Sequence, residues 1–343
     1  MSGGTGERIL VIRFSSLGDV VLAAPVFDAL RRADHEVEIT FLTRPEYSGL
    51  HAGHPDVDRV WAFDPAGGGL SDLISMVRAG AFDRVVDLHG SLRSRALCLR
   101  AGLPTRRLKK RTVRRILQTI RPPLKVRLEV EPVVDRYLAA AGVDDPDEEE
   151  RVPVLYLSPE GIAEGRATAE GFRGGGEKRP RLVALLPGAK HPPKRWPVER
   201  FAALGRLIAA QGDRAVVLPP VEEPGLGEAV ASLAGEGTVA APVTADPMSL
   251  ASLLAACDGA VANDSGPMHV AAAVGIPVVG LFGPTSPSLG FAPVGTRAAD
   301  EHLGLFCSPC SLHGRSRCWR RERYCLEEMD HELVGATLYR LMG

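Results

Sequence analysis

The sequence has few of the features that direct a protein to a membrane or to nucleic acid. No apolar run is long enough to cross a bilayer, and the start, MSGGTGER, lacks the apolar core of a secretory signal. The formal net charge of the 343 residues is −1, which leaves no excess of positive charge to attract nucleic acid. We therefore expect a cytoplasmic protein that does not bind nucleic acid but could still touch the inner face of a membrane.

Two common nucleotide-binding signatures are also absent. The loop after the first expected strand, Arg8 to Phe14, reads S-S-L-G-D and contains neither G-x-G-x-x-G nor G-x-x-x-x-G-K-[ST]. These absences exclude a dinucleotide-binding fingerprint and a P-loop kinase. What remains is a short loop with one carboxylate, Asp19. This residue is either a helix N-cap or a general base that accepts a proton from an attacking hydroxyl.

The chain does contain two runs of alternating strands and helices. The first run begins at Arg8 and the second begins with a strand at Arg181. Because 343 residues can bury two cores, we predict an α/β fold of two Rossmann-like, doubly wound domains facing a central cleft. The predicted domains are 1–165 and 178–325, with a C-terminal helix in 326–343 that packs back on the first domain. The residues that follow the acidic turn at Asp144 to Glu150, up to about Arg181, are expected to form a flexible crossover.

The stretch DGAVANDSGPMHVAAAVGIPVVGLFGPTSP predicts a strand, a tight loop, a helix and a second strand. The loop N-D-S-G has turn and N-cap chemistry, and Pro267 suits the first helical position. The start of such a helix presents free backbone N–H groups and the positive end of the helix dipole, which suit a diphosphate. Ser265, Gly266 and His269 lie at or near this mouth.

A second cluster of polar residues follows the first strand of the second domain, in P-G-A-K-H-P-P-K-R-W-P. Lys190, Lys194 and Arg195 lie here, at the carboxyl end of the strand, where ligands bind in folds of this class. A lysine there can neutralise a phosphate on a leaving group, although any one of these residues alone also suits a basic surface loop. Glu222 and Glu223 follow the next strand, where a carboxylate can bind a ribose hydroxyl.

Charge is also concentrated in one segment of the first half. Residues 106–127 read R-R-L-K-K-R-T-V-R-R-I-L-Q-T-I-R-P-P-L-K-V-R. This pattern fits a solvated helix face, and it equally fits a cradle for an acidic acceptor or an anionic membrane surface. Two D-x-D strings, at 56–58 and 145–147, lie in polar turns, and we interpret both as structural.

The six cysteines fall into two groups. Cys98 and Cys257 stand alone in apolar surroundings and are expected to pack as small hydrophobic residues. The other four have the spacing C-x2-C-x7-C-x6-C, which makes a structural zinc a serious candidate and an iron–sulfur cluster a weaker one. A reducing cytoplasm disfavours disulfides between them. This quartet comprises Cys307, Cys310, Cys318 and Cys325.

Taken together, the motifs resemble those of glycosyltransferase family 9, which includes the ADP-heptose:lipopolysaccharide heptosyltransferases. The resemblance covers nearly the whole chain. It is carried by I-R-F-S-S-L-G-D near the start, V-V-D-L-H-G around His89, P-G-A-K-x3-K-R-W-P around Lys194, and N-D-S-G-P-M-H-x-A-A-A-x-G-x-P with G-L-F-G-P-T near the end. The family implies a GT-B fold, with the acceptor on the first domain and the nucleotide sugar on the second.

The resemblance also implies roles for individual residues. Asp19 matches the catalytic base and lies in a substrate loop with Ser16 and Gly18. Lys194 matches the lysine that contacts the donor phosphates, and Glu223 matches the acid that binds the ribose, although Glu222 is adjacent and the usual glycine is missing. The matches to the donor-binding loop and helix start are Asp264, Ser265, which stands where many members have threonine, Gly266 and His269.

The expected function is an inverting, metal-independent transfer of a sugar. The resemblance implies heptose from ADP-heptose as the donor and a lipopolysaccharide core or another cell-surface glycan as the acceptor. It implies no required cofactor and does not favour a structural zinc at the four cysteines. Two alternatives stay open: a nucleotide-sugar epimerase or hydrolase of the same architecture, and a nucleotide-sugar-binding protein without turnover, against which the presence of Asp19 counts.

Overall fold

A computed structural model describes residues 6–64, 67–120, 130–174, 179–314, 318 and 320–343. The chain divides into two compact units. The first unit comprises 1–110 and 133–156, and the second comprises 111–132 and 157–343. Two stretches of the predicted first domain, 111–132 and 157–165, therefore belong to the second unit.

Regular elements alternate along the described chain. The strands are β1 (Arg8–Ile12), β2 (Glu38–Thr43), β3 (Arg59–Ala62), β4 (Arg84–Asp87), β5 (Thr105–Arg107), β6 (Leu182–Leu186), β7 (Arg214–Val217), β8 (Thr238–Ala240), β9 (Gly259–Asn263), β10 (Val278–Phe282) and β11 (Ala298–His302). The helices are α1 (Leu17–Val21), α2 (Ala24–Ala33), α3 (Leu70–Ala79), α4 (Leu92–Ala101), α5 (Thr112–Gln118), α6 (Val133–Ala141), α7 (Pro159–Arg173), α8 (Val198–Ala210), α9 (Gly225–Ala234), α10 (Pro247–Ala255), α11 (Gly266–Ala273), α12 (Tyr324–Glu327) and α13 (His331–Met342). Short 3₁₀ helices span Pro45–His51, Glu149–Arg151, Pro192–Lys194 and Pro287–Leu289.

The first unit is built on a parallel sheet with the strand order β3-β2-β1-β4-β5. Its central strand β1 is buried from Ile9 to Ile12. A continuous apolar run of this kind is expected where a parallel sheet is covered on both faces. Ile9 pairs with Ile39 of β2 on one side and with Arg84 of β4 on the other. The helix expected after the first loop is interrupted after Val21 and resumes as α2, because Pro25 in its first turn has no N–H to donate.

The second unit contains a parallel sheet with the order β11-β10-β9-β6-β7-β8. When β6 is taken as the first strand, this strand order is that of a Rossmann dinucleotide-binding fold. Strands β7 and β8 are added on one side of β6, and those from β9 onwards are added on the other side. All five residues of β6, β9 and β10 are buried. Helices therefore cover the centre of this sheet on both faces.

The segment expected to be a flexible crossover contains a helix of 15 residues, α7. The Ser158 hydroxyl accepts the Gly161 N–H at 3.0 Å, and Pro159 occupies the first turn, so the local sequence encodes the start of a helix. Near its end, the buried Arg173 pairs with Asp258 at 2.6 Å. The expectation of a flexible crossover is wrong at 159–173.

The C-terminal helix α13 packs within the second unit rather than on the first. Its buried Val334 and Leu338 join the core formed by α8 and the second sheet, which includes Leu204. Gly335 allows close approach, because a Cβ at this position would lie 3.1 Å from a methyl of Leu207. The expectation that this helix packs back on the first domain is therefore corrected: its apolar face completes the core of the second unit.

None of the helices in the described part of the chain is both long and apolar enough to cross a membrane.

Candidate active site

Both sheets have a point where the strand order reverses, and the predicted site residues cluster there. In the first unit this switch point lies between β1 and β4, and in the second it lies between β6 and β9. The loops that leave these strands diverge to opposite faces of the sheet and open a crevice at its carboxyl edge.

Asp19 is held from several sides within the first unit. One carboxylate oxygen, Oδ2, accepts the Ser16 N–H at 3.2 Å and the Ser16 hydroxyl at 2.8 Å. The other, Oδ1, lies 2.7 Å from Nη2 of Arg13 and accepts the Tyr137 hydroxyl at 3.2 Å. Ser16, not Asp19, is the N-cap of α1, and Gly18 is a buried residue of that helix. Asp19 is thus the third helical residue of a capping box, so the N-cap interpretation is corrected.

The surroundings of Asp19 keep its carboxylate ionised. Burial alone raises its pKa, but the Arg13 guanidinium and the hydrogen bonds from Ser16 outweigh this effect and lower the pKa below its usual range. Asp19 is therefore a carboxylate at neutral pH, able to accept a proton. Sequence reasoning did not find Tyr137, because it lies 118 residues away along the chain.

The loop after β4 is organised by Asp87, a fully buried carboxylate. Its Oδ1 accepts the N–H groups of His89 and Gly90, at 3.1 and 2.8 Å. Its Oδ2 accepts the Ser94 hydroxyl at 3.0 Å and Nε of Arg107 at 2.8 Å. Asp87 thereby fixes the path from β4 into α4. The sequence does contain a signal for this role, because the aspartate of V-V-D-L-H-G stands at the end of a strand. In the sequence this residue is interpreted only as part of the motif.

A cavity of about 370 Å³ adjoins this loop in the first unit. Burial, followed by the charge of Arg13, lowers the pKa of His89 to about 4, so its imidazole is neutral at pH 7. The positive charge of the wall then comes from two guanidinium groups. The lining residues are Phe14, Arg44, His89, Ser91, Leu92 and Arg93.

Lys194 and Asp264 meet at the switch point of the second unit. Lys194 ends a 3₁₀ helix after β6, and its Nζ lies 2.7 Å from Oδ2 of Asp264, which follows β9. The Thr285 hydroxyl donates to the same carboxylate oxygen at 2.7 Å. Both members of the ion pair are largely buried, with 14% and 11% of their side chains exposed. The Asp264 carboxylate therefore joins the loops that follow three neighbouring strands, β6, β9 and β10.

The start of α11 lies directly after this carboxylate. Ser265 is its N-cap and Gly266 its first residue, and His269 is buried within the helix. The Ser265 hydroxyl oxygen is buried and has no hydrogen-bond partner among the described residues. The helix start therefore presents backbone N–H groups and an unused hydroxyl beside the Lys194 ammonium, as an anion site requires.

Asn263 joins the two loops that form this pocket. Its Oδ1 accepts the Trp196 N–H at 2.9 Å, and its Nδ2 donates to the Pro187 carbonyl at 2.7 Å. Because Asn263 is fully buried, these bonds fix the loop that carries Lys194 against the end of β9. From the sequence, Asn263 is predicted only as part of a turn, and its bridging role becomes visible in the fold.

The remaining polar residues of this region lie around the pocket. Glu223, after β7, pairs with Nη1 of Arg195 at 2.6 Å, and Nε of Arg195 donates to the Ala189 carbonyl at 2.9 Å. Lys190 and Glu222 are exposed. The structure thus brings Lys194 together with the helix start, places Glu223 beside its neighbour Arg195, and leaves Lys190 on the surface.

A separate acidic cluster lies in the first unit, around the first D-x-D string. Ligand atoms of Asp28, His54 and Asp56 lie within 4.8 Å of one another. Asp58 is structural, as expected, because its Oδ2 accepts the Ile39 N–H at 2.6 Å and pairs with Arg31 at 2.9 Å. Burial, followed by the hydrogen bond and charge of Asp56, raises the pKa of Asp28 to about 7.

The raised pKa of Asp28 predicts a pH-dependent stability. Between the ordinary carboxyl pKa and about 7, the folded protein retains a proton that the unfolded chain has released, so stability falls as the pH rises through this window. Since 33% of the side chain is exposed, solvent screening limits the loss to about 1–2 kcal/mol. Burial lowers the pKa values of His51, His54 and His89 to about 4, which adds stability as the pH rises in both the wild type and Asp28→Asn. Urea unfolding at pH 5 and pH 8 should therefore show a change in unfolding free energy that is about 1–2 kcal/mol less favourable in the wild type than in Asp28→Asn. Equal changes in both proteins would refute the assignment.

Comparison with known proteins identifies this chain by family. The family model for glycosyltransferase family 9 (heptosyltransferase) matches residues 71–316. The lipooligosaccharide heptosyltransferase 2 of Haemophilus influenzae is 30% identical over 308 residues, covering 82% of this chain and 84% of that protein. The lipopolysaccharide heptosyltransferase 2 of Escherichia coli K12 is 29% identical over 301 residues, with 82% and 84% covered.

Solved structures agree at the level of the fold. The ADP-heptose lipopolysaccharide heptosyltransferase II of E. coli has a TM-score of 0.73 at 23% identity and covers 98% of each chain. A family 9 glycosyltransferase of Veillonella parvula has a TM-score of 0.79 at 22% identity, covering 98% of this chain and 97% of that one.

The two parallel-sheet units are those of a GT-B glycosyltransferase, which confirms the predicted fold class. The chain belongs to glycosyltransferase family 9, as its motifs had indicated, and it is an enzyme.

Proposed function

We propose that this enzyme transfers heptose from ADP-heptose to a lipopolysaccharide core, with inversion at the anomeric carbon and without a metal ion at the diphosphate. The observation that carries the proposal is the pairing of Lys194 with the start of α11 at the second switch point. The names of the curated relatives support heptose as the sugar and lipopolysaccharide or lipooligosaccharide as the acceptor.

On the donor side, positive charge stabilises the leaving diphosphate. The Lys194 ammonium and the N–H groups at the start of α11 are already fixed by Asp264 and Asn263, so little reorganisation accompanies the reaction. The unused Ser265 hydroxyl supplies one further donor. These groups perform the charge neutralisation that a divalent ion performs in other transferases, which is why we propose a metal-independent step.

On the acceptor side, Asp19 takes up the proton. The acceptor oxygen forms a bond to the anomeric carbon while the bond from that carbon to the diphosphate oxygen breaks, and ADP leaves with the electron pair. The acceptor hydroxyl proton passes to the Asp19 carboxylate, which the low pKa keeps ionised. A single displacement of this kind inverts the configuration, and Arg13 and Tyr137 hold the carboxylate in place.

The cavity beside His89 is our candidate for the acceptor site. Its guanidinium groups, Arg44 and Arg93, suit carboxylate or phosphate groups, whereas Phe14 and Leu92 offer apolar contact. The loop that forms this wall is fixed by Asp87. An acidic sugar therefore fits this cavity better than a neutral one.

A transfer assay tests the proposed function. Purified enzyme should release ADP from ADP-heptose only when a heptose-acceptor core is present, and mass spectrometry should show the acceptor gaining one heptose. Added Mg²⁺ should not raise the rate, and brief treatment with EDTA should not lower it. ADP release that is as fast without acceptor would instead support hydrolysis or epimerisation of the donor. No release from any nucleotide sugar would support a binding protein.

We also propose that α5 contacts an anionic membrane. Val113 and Ile116 are 72% and 47% exposed, and the exposed Arg111 and Arg114 lie beside them. The continuation of this basic segment at 121–129 lies outside the described residues. Each basic residue near the surface contributes about 1 kcal/mol, so these two arginines should make acidic liposomes bind about thirtyfold more tightly than neutral ones. Co-sedimentation that does not depend on lipid charge would refute the contact, and Val113→Ser should weaken it.

A further inference from the structure

Four cysteines that the transfer mechanism does not use surround one cavity. Cys307 and Cys310 follow β11, Cys318 lies further along, and Cys325 belongs to α12. None of them forms a disulfide. All four line a cavity of about 30 Å³ in the second unit. They are separated by up to 18 positions in the sequence, yet the fold brings them to the same place.

The cavity has the size and surroundings of a site for a single ion. About 10–15 Å³ accommodates one water-sized group, so this volume holds two or three of them and has room for one ion. The remaining wall includes apolar Leu305, the carboxylate of Glu322 and two guanidinium groups, those of Arg320 and Arg323. The four sulfurs therefore supply most of the potential metal ligands around the cavity.

A basic side chain also lies beside the four thiols. Nη1 of Arg320 lies 3.9 Å from the Cys307 sulfur, and the guanidinium lies over the rings of Phe306 and Tyr324. A positive charge at this distance stabilises thiolate sulfur, which is the form that binds a metal.

We propose that Cys307, Cys310, Cys318 and Cys325 form a tetrathiolate site for one structural metal ion, Zn²⁺ or iron. Each thiol releases its proton to solvent, and its sulfur then bonds to the metal. The first pair has the C-x2-C spacing of structural zinc sites. Within the described part of the chain, no three of the four sulfurs lie within 4.8 Å of one another, so binding draws them inward to metal–sulfur bonds of about 2.3 Å.

The site would stabilise the donor pocket, because the cysteine segment is bonded to the loops that form it. The Ser308 hydroxyl donates to the Gly283 carbonyl at 2.6 Å, and the Cys310 N–H donates to the Pro284 carbonyl at 2.9 Å. These carbonyls immediately precede Thr285, which donates to Asp264. Arg323 donates to the Pro192 carbonyl at 3.2 Å, in the 3₁₀ helix that ends with Lys194. We therefore assign the ion a structural role, in which it supports the loops of the donor pocket.

Metal content tests this proposal independently of any transferase activity. Full-length protein purified without chelators and analysed by plasma mass spectrometry should contain about one zinc or iron ion per chain, as a four-coordinate site requires. The element found identifies the ion. Cys310→Ser should lower the content at least severalfold, whereas Cys257→Ser, which changes a buried cysteine outside the cluster, should not.

A second measurement covers the case in which a cysteine variant folds poorly. Wild-type protein stripped of metal and titrated with Co²⁺ should develop the intense visible absorption of tetrahedral cobalt thiolate and should gain thermal stability. Cys257→Ser should behave in the same way. Wild-type protein that contains no stoichiometric metal and gives no cobalt–thiolate spectrum would overturn the proposal.

Discussion

Asp19→Asn should lower kcat for heptose transfer by about 10²–10⁴-fold, because general-base catalysis contributes a factor of this size. Asparagine retains the shape of the side chain but cannot take up the acceptor proton. Affinity for ADP should change little, because the donor groups belong to the second unit. The checks are steady-state kinetics and calorimetric titration with ADP. Turnover within tenfold of the wild type would show that Asp19 is not the base.

This substitution also affects stability, so it needs matched controls. Asp19 is the largely buried partner of Arg13. Breaking a fully buried ion pair costs about 3–5 kcal/mol of folding free energy. This figure is an upper limit for Asp19→Asn, because the amide oxygen of the asparagine would still accept hydrogen bonds. Tyr137→Phe removes one hydrogen bond to the carboxylate and should retain most of the turnover. Asp28→Asn makes the same chemical change elsewhere in the first unit and should not alter kcat. A loss of kcat in Asp28→Asn as large as in Asp19→Asn would indicate a general loss of folded enzyme.

Lys194→Ala should lower kcat/KM for the donor by about 10²–10³-fold, as expected when one preorganised group that stabilises developing charge is removed. The ammonium faces the position proposed for the diphosphate. Its removal leaves the Asp264 carboxylate with the Thr285 hydroxyl as its side-chain partner among the described residues. ADP should also bind more weakly. Kinetics at varied donor concentration, together with ADP titration, measure both effects.

Arg195→Ala is the matched control for the lysine. Arg195 is the next residue and is also basic, but its guanidinium pairs with Glu223 and the Ala189 carbonyl. Its loss should therefore affect the donor less than the loss of Lys194. If Arg195→Ala had the larger effect, the diphosphate would have to lie nearer Glu223, and the assignment of the cationic pocket would be wrong.

Local sequence predicted the elements that determine the fold. The apolar run of β1 indicated a buried central strand, and N-D-S-G-P indicated the start of α11, because these signals depend on neighbouring residues. The same reasoning placed Lys194 after a strand and Asp264 after another. Both then reach the same edge of the sheet, since the strands are parallel.

Features that depend on distant partners could not be read in this way. The pairing of Asp19 with Tyr137 joins segments 118 residues apart, and the apolar stripe of α13 does not specify which core it completes. The N-cap interpretation of Asp19 was wrong because Ser16, three residues earlier, begins the helix. The spacing of the cysteines suggested a site, but only the fold shows that all four line one cavity.

The most direct test of the proposed donor site is a crystal structure of the enzyme with ADP-heptose. Diphosphate oxygens should lie about 2.7–3.2 Å from the Lys194 ammonium and from N–H groups at the start of α11, the range of ordinary hydrogen bonds. A well-ordered diphosphate bound away from both Lys194 and Ser265 would contradict this assignment of the donor site.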